Sequence, residues 1–195
     1  MNELTSFKEY LLGKRKNDVR CIWWLNIGIE DAWSAAEGYV VPRLSGKGSG
    51  SAADKSEEMC LIMADSNDIV IMKNKVPSMV LESLTSAGFD LPEIWYFPER
   101  DMNKNIPVSE MILNDYDIIN RLKCISKVSE SVFLVPYAVT SLEEKIASAT
   151  GCRIIGASSE LVEWTNSKVN ARILAMEAGL PVTAGFICRS AEEAL

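Results

Sequence analysis

The chain has 195 residues, of which 48% are apolar, and its 20 lysines and arginines oppose 27 aspartates and glutamates, giving a net charge of −7. This length and apolar content are enough for one large domain, or for one domain and the start of another. Histidine is absent, which excludes a Ser-His-Asp triad, a Cys-His catalytic pair and zinc sites of the Cys/His type.

The cysteines and the lack of membrane or export signals predict a cytoplasmic protein. No apolar run approaches the ~20 residues that span a bilayer, and the residues from Met1 to Leu4 lack the basic-then-apolar order of a signal peptide. The basic residues form no tract beyond Lys14-Arg15-Lys16, so we expect no nucleic-acid partner and no membrane partner. The cysteines are odd in number, scattered and mostly flanked by apolar residues, as is typical of buried thiols in a reducing compartment; they are Cys21, Cys60, Cys124, Cys152 and Cys188.

In chain order, the hydrophobic pattern predicts helices that alternate with strands. The capping-box sequence from Thr140 to Glu143 predicts the start of one of these helices, and Gly151 its end. The predicted elements are a helix at 3–12, a buried strand at 21–27, a mobile loop at 45–51, a helix around 59–63, a strand at 68–72, a helix from 77 to about 87, a strand at 94–97, helical residues 108–126 with a break near Asn114, a strand at 132–135, a helix from 141 to Gly151, a strand at 153–155, a helix at 166–178 and a strand at 182–188.

This alternation predicts an α/β domain with a mostly parallel sheet layered with helices. We place that domain at residues 1–157 and the beginning of a second at residues 158–195. The second unit is too short to have its own core, so it must pack on the first or be incomplete. Residues 190–195 are typical of a helix start, which favours a chain that is truncated there.

The glycine-rich stretch at residues 45–51 does not match known phosphate-binding loops. Gly46, Gly48 and Gly50 do not give the Walker spacing, and Lys47 is not at the lysine position of that motif. Nor does a glycine follow Gly48 three residues later, as a dinucleotide fingerprint requires. A disordered or substrate-covering loop is the better interpretation.

The helix beginning near Asn166 is a candidate anion site. A helix N-terminus offers free N–H groups and a positive dipole end. Lys168 and Arg172 are four residues apart, so both side chains project from one face and can bind one phosphate chain. The alternative is an exposed basic face on an amphipathic helix.

Asn26 and Glu30 form a second candidate, because they follow the buried strand at 21–27. Ligands of open α/β sheets bind beyond the carboxyl ends of the strands. Asn26 can donate and accept hydrogen bonds, and Glu30 can hold an amine. The alternative is a turn residue and a carboxylate at a helix start.

Several segments of the chain resemble a known family. Together they resemble the pre-ATP-grasp domain, and the start of the ATP-grasp domain, of ligases related to the peptide ligase of pheganomycin biosynthesis. The resemblance spans most of residues 20–187. The segments that carry it are Leu25–Glu30 with Trp33, Glu57–Ala64 followed by Asp68–Met72, Gly88-Phe89 with Pro92, Gly151–Gly156, Asn166–Lys168 and Gly179–Val182.

The resemblance implies a Rossmann-like pre-ATP-grasp domain followed by the first helix and strand of an ATP-grasp domain. The implied activity joins a carboxylate to an amine through an acyl phosphate, with ATP and magnesium as cofactors. Lys168 would contact the nucleotide phosphates together with Arg172, and Asn26 and Glu30 would contact the carboxylate or amine substrate. The family's second ATP-contacting lysine, adenine-binding segment and metal ligands have no counterpart here, so we expect the chain alone to be inactive.

Two functions remain open at this point. The chain is either the N-terminal portion of such a ligase, completed by another chain, or a non-catalytic binding or assembly module that kept the fold. In the first case the apolar residues around Ile173, Leu180, Val182 and Phe186 should be uncovered. In the second they should be buried within the chain or in a homodimer.

Overall fold

A computed structural model describes residues 19–27, 29, 33, 56–97, 106–129, 131–188, 190, 192 and 193. The predicted helix at 3–12, the glycine-rich stretch at 45–51 and the candidate residue Glu30 lie outside the described residues. None of the described helices is long and apolar enough to cross a membrane.

The described residues contain five strands and seven α-helices with defined bounds. The strands are β1 Arg20–Trp24, β2 Ile69–Met72, β3 Glu93–Tyr96, β4 Val132–Pro136 and β5 Arg153–Ile154. The helices are α1 Cys60–Met63, which follows a 3₁₀ turn at Ser56–Met59, then α2 Ser78–Ser86, α3 Val108–Asn114, α4 Tyr116–Val128, α5 Ser141–Thr150, α6 Ser159–Asn166 and α7 Lys168–Glu177.

The five strands form one parallel sheet in the order β3-β2-β1-β4-β5. Ile22 of β1 is in register with Ile69 on one side and with Leu134 on the other. This is a Rossmann-like α/β arrangement, and it confirms the predicted α/β class and parallel sheet.

Helices cover both faces of the sheet, so the central strands are buried on both sides. Alternate residues of β1 enter two separate cores: Ile22 and Trp24 pack with α3, α4 and α5 on one face, and Cys21 and Trp23 pack with α1 on the other. The continuous apolar runs of the sequence reflect this double burial.

The ends of the helices follow from local side chains. The predicted break in the 108–126 helix falls at Asp115, whose Oδ1 accepts from the Ile118 N–H at 2.9 Å and caps α4. The predicted capping box of α5 is confirmed, and Gly151 ends that helix with a left-handed φ of 73°.

The last described residues differ from the prediction in two ways. A further helix, α6, precedes the predicted 166–178 helix, and the chain bends at Ser167 before α7. The predicted strand at 182–188 is wrong: this segment is irregular. Its Thr183 and Gly185 carbonyls accept hydrogen bonds from the Arg172 side chain, which takes the place that a neighbouring strand would have. The domain boundary at residue 157 stays a prediction.

Candidate functional site

The order of the strands reverses between β1 and β4, so the carboxyl ends of these two strands flank the crevice where ligands of open α/β sheets bind. The two strands stay together just beyond their ends, because the Tyr137 N–H donates to the Trp24 carbonyl at 3.1 Å. We call the place where Asn26, Ala138 and Glu143 meet the carboxyl-edge crevice.

Asn26 closes the floor of this crevice. The side chain is 1% exposed, and its Oδ1 accepts from the Ala138 N–H at 2.9 Å. Its Nδ2 donates to the Ala138 carbonyl at 2.8 Å and to Glu143 Oε1 at 3.0 Å. Both N–H groups of the amide are therefore used within the protein. A direct substrate contact by Asn26 or Glu30 stays a prediction.

Glu143 is the residue of this crevice that the sequence reasoning missed as a site residue. It is fully buried, and its Oε2 accepts from the Thr140 backbone N–H at 2.8 Å and from the Thr140 hydroxyl. The capping box predicted the contact with Thr140. The contact with Asn26 joins residues 117 positions apart, and no local pattern signals such a pair.

Charged side chains near the end of β2 also form hydrogen bonds with neighbouring loops. The Lys73 backbone N–H donates to Glu57 Oε2 at 2.8 Å, and the Lys73 ammonium donates to the Ile106 carbonyl at 2.6 Å. Glu57 is 5% exposed. These contacts fasten two loops at the same edge of the sheet as the crevice.

Lys168 and Arg172 lie together in a different place, an open groove of about 600 Å³ that we call the α7 groove. It is lined by Lys168, Val169, Ala171, Arg172, Val182, Thr183, Phe186, Ile187 and Cys188. The lining residues come from α7 and from the irregular segment after it. The spacing correctly placed the two cations side by side.

The two cations of the α7 groove have different surroundings. Lys168 is exposed at the first residue of α7 and has no hydrogen-bond or ion-pair partner among the described residues. Arg172 is half-buried, and its Nη2 donates to the Thr183 carbonyl at 2.8 Å and to the Gly185 carbonyl at 3.1 Å. Arg172 thus holds the segment at 182–188 against α7, while Lys168 is available to an anion.

The start of α7 keeps its own backbone donors available. Ser167 occupies the N-cap position, but its side chain makes no capping hydrogen bond. The first N–H groups of a helix have no partner within the helix, and the dipole makes that end positive. Together with the Lys168 ammonium, they form a surface suited to phosphate. No three acidic or cysteine side chains among the described residues are arranged to hold a metal ion.

Comparison with known proteins identified no relative. No family model matches the chain, and no curated protein and no solved structure matches it.

Proposed function

We propose that this chain is the N-terminal portion of an ATP-grasp ligase, which joins a carboxylate to an amine through an acyl phosphate and is inactive alone. The resemblance of several segments to pre-ATP-grasp domains suggests this function, and the parallel sheet in the order β3-β2-β1-β4-β5 is compatible with it. The observation that carries the proposal is an uncovered apolar surface beside Lys168.

The apolar surface consists of side chains of α6, α7 and the segment after them. No residue of either helix is buried. The four residues chosen from the sequence as diagnostic are all uncovered: Ile173 is 38% exposed, Leu180 60%, Val182 37% and Phe186 96%. Soluble proteins rarely expose so many neighbouring apolar side chains unless another surface covers them. This supports a unit that is completed by further protein.

In this proposal Lys168 contacts the phosphates of ATP as a point charge, at the positive end of α7. Arg172 acts chiefly by holding the segment at 182–188 beside Lys168, through its bonds to Thr183 and Gly185. Magnesium would offset the phosphate charge when ATP is bound. The carboxylate or amine substrate would bind near Asn26, and Glu30 would be a further contact of the substrate. The protein would act in the cytoplasm.

The alternative is a non-catalytic binding or assembly module of the same fold. The saturated hydrogen bonding of Asn26 favours it, because this amide has no free N–H for a substrate. In that case the apolar surface around Phe186 serves to join two copies of the chain.

Sedimentation and ATP turnover of the purified chain separate the two functions. We expect a monomer without ATP turnover, which binds an apolar dye, and we expect Phe186→Ser to weaken the dye binding several-fold. Met79→Ser is a matched control, since Met79 is also exposed, at 73%, but lies on α2. A stable dimer that Phe186→Ser dissociates would support the assembly module, and ATP turnover by the chain alone would contradict the proposed incompleteness.

A further inference from the structure

Within the described part of the chain, Arg172 alone joins the segment at 182–188 to α7 by hydrogen bonds, and we call this segment the strap. None of the backbone N–H groups of the strap donates to a carbonyl among the described residues. Apolar packing adds little, because every residue of the strap is exposed, and Phe186 is 96% exposed. The strap therefore depends chiefly on one guanidinium group for its place beside α7.

Both hydrogen bonds come from the same nitrogen of Arg172. Nη2 donates to the Thr183 carbonyl at 2.8 Å and to the Gly185 carbonyl at 3.1 Å, so its two hydrogens are both used. A guanidinium group binds phosphate through two parallel N–H groups, which are either Nε with Nη2 or Nη1 with Nη2. Each of these forks includes one Nη2 hydrogen. A phosphate can therefore bind Arg172 through a fork only by displacing one of the two carbonyls.

The charges of the α7 groove favour this displacement. The lining residues include the cations Lys168 and Arg172 but no carboxylate, and Arg172 forms no ion pair among the described residues. The present acceptors of Arg172 are neutral carbonyls. Hydrogen bonds between two charged groups are about twice as strong as those between neutral groups. A phosphate chain held by Lys168 would thus compete well for the guanidinium group.

We propose that a polyphosphate in the α7 groove takes Arg172 from the Thr183 and Gly185 carbonyls and so releases the strap. This inference rests on the proposed function, because Lys168 must first hold the phosphates. The coupling is reciprocal, so the bound strap in turn weakens phosphate binding. In the proposed ligase, the released strap is free to pair with the protein that completes the fold.

Spin labels on two thiols measure the release. Cys124 is exposed on α4, which is packed on the sheet and gives a fixed reference. Ala184 is exposed in the strap and does not line the groove, so Ala184→Cys together with Cys188→Ser provides the second label. The remaining cysteines are buried; burial raises the pKa of Cys60 to about 12 and also raises the pKa of Cys152, so these thiols react slowly.

The experiment measures the distribution of distances between the two labels by pulsed EPR, with and without inorganic tripolyphosphate. This probe carries a phosphate chain like that of ATP but needs no adenine-binding segment. Without the probe we expect one narrow distribution. With the probe at millimolar concentration we expect a spread on the order of 10 Å, as for a free chain of the five residues 180–184.

Three variants assign this response to the two cations. Arg172→Ala should show the wide distribution without the probe, because it lacks the bonds to the strap. Lys168→Ala should keep the narrow distribution when the probe is added. Lys145→Ala, which removes an exposed lysine of α5 away from the groove, should respond like the unchanged chain. Sodium chloride at equal ionic strength should have no effect, and melting temperatures check that each variant folds.

Calorimetric titration of the labelled chain with tripolyphosphate separates failure of the release from failure of the proposed function. Binding that leaves the distance distribution narrow would overturn the release while keeping the phosphate site. A narrow distribution in Arg172→Ala would also overturn it, because another contact would then hold the strap. If the labelled chain does not bind tripolyphosphate at all, the phosphate site of the proposed function is wrong, and the release is overturned with it.

Discussion

Replacing Asn26 by leucine is expected to lower the free energy of unfolding by about 3 to 5 kcal/mol, because each buried polar group left without its partner costs about 1 to 3 kcal/mol. The substitution removes the acceptor of the Ala138 N–H and the donor to both the Ala138 carbonyl and Glu143 Oε1. Glu143 is fully buried, so water cannot replace the lost bond. Urea denaturation followed by tryptophan fluorescence measures the effect.

Asn166→Leu is the matched control for this substitution. Asn166 is exposed at the end of α6, and surface changes of this kind usually alter stability by less than about 0.5 kcal/mol. A cost below about 1 kcal/mol for Asn26→Leu would contradict the bridging role that we assign to Asn26. The Asn26 amide would then be free for the substrate contact predicted from the sequence.

Replacing Gly156 by alanine is expected to cost about 2 to 5 kcal/mol, from backbone strain and overpacking together. Gly156 has a φ of 153°, and an added Cβ would lie 2.7 Å from Val139 Cγ2. Val139 is 4% exposed and stiff at χ1, so it cannot move away easily. Gly156 lies in the loop after β5 and Val139 in the loop after β4. Their contact packs these two loops together next to the carboxyl-edge crevice.

Two further variants separate backbone strain from overpacking as causes of the stability lost in Gly156→Ala. Gly88→Ala also has a positive φ, of 91°, but nothing lies within 4 Å of its added Cβ, so it should show backbone strain alone. In the double variant Gly156→Ala/Val139→Ala the two costs should be less than additive, since the smaller side chain removes the clash. Strict additivity would contradict the close packing of Gly156 on Val139.

The parts of the fold that could be predicted from the sequence are those that local patterns specify. The apolar run of β1 indicated a strand buried on both faces, residues 132–135 were predicted as the strand that became β4, and the capping box at Thr140 placed the start of α5 correctly. The segment at 182–188 was predicted as a strand from its apolar residues, but a strand also needs a neighbour to bond with. Arg172 provides the bonds instead, and hydrophobic periodicity does not report that contact.

Less of the candidate site could be predicted from the sequence, because local sequence patterns do not report tertiary contacts. The four-residue spacing placed Lys168 and Arg172 in one groove, because side chains at i and i+4 share a helix face. Their different roles depend on tertiary contacts of Arg172. The partnership of Asn26 with Glu143 joins residues more than 100 positions apart, and only the folded chain brings them together.

Calorimetric titration of the purified chain with Mg-ATP tests the central claim most directly. The proposed function predicts weak binding, with a Kd on the order of 1 mM or below, that disappears in Lys168→Ala. Binding should persist in Lys145→Ala, whose lysine is exposed on α5 away from the α7 groove. No binding at millimolar nucleotide, or equal binding by the Lys168→Ala variant, would contradict the assignment of the α7 groove as part of a nucleotide site.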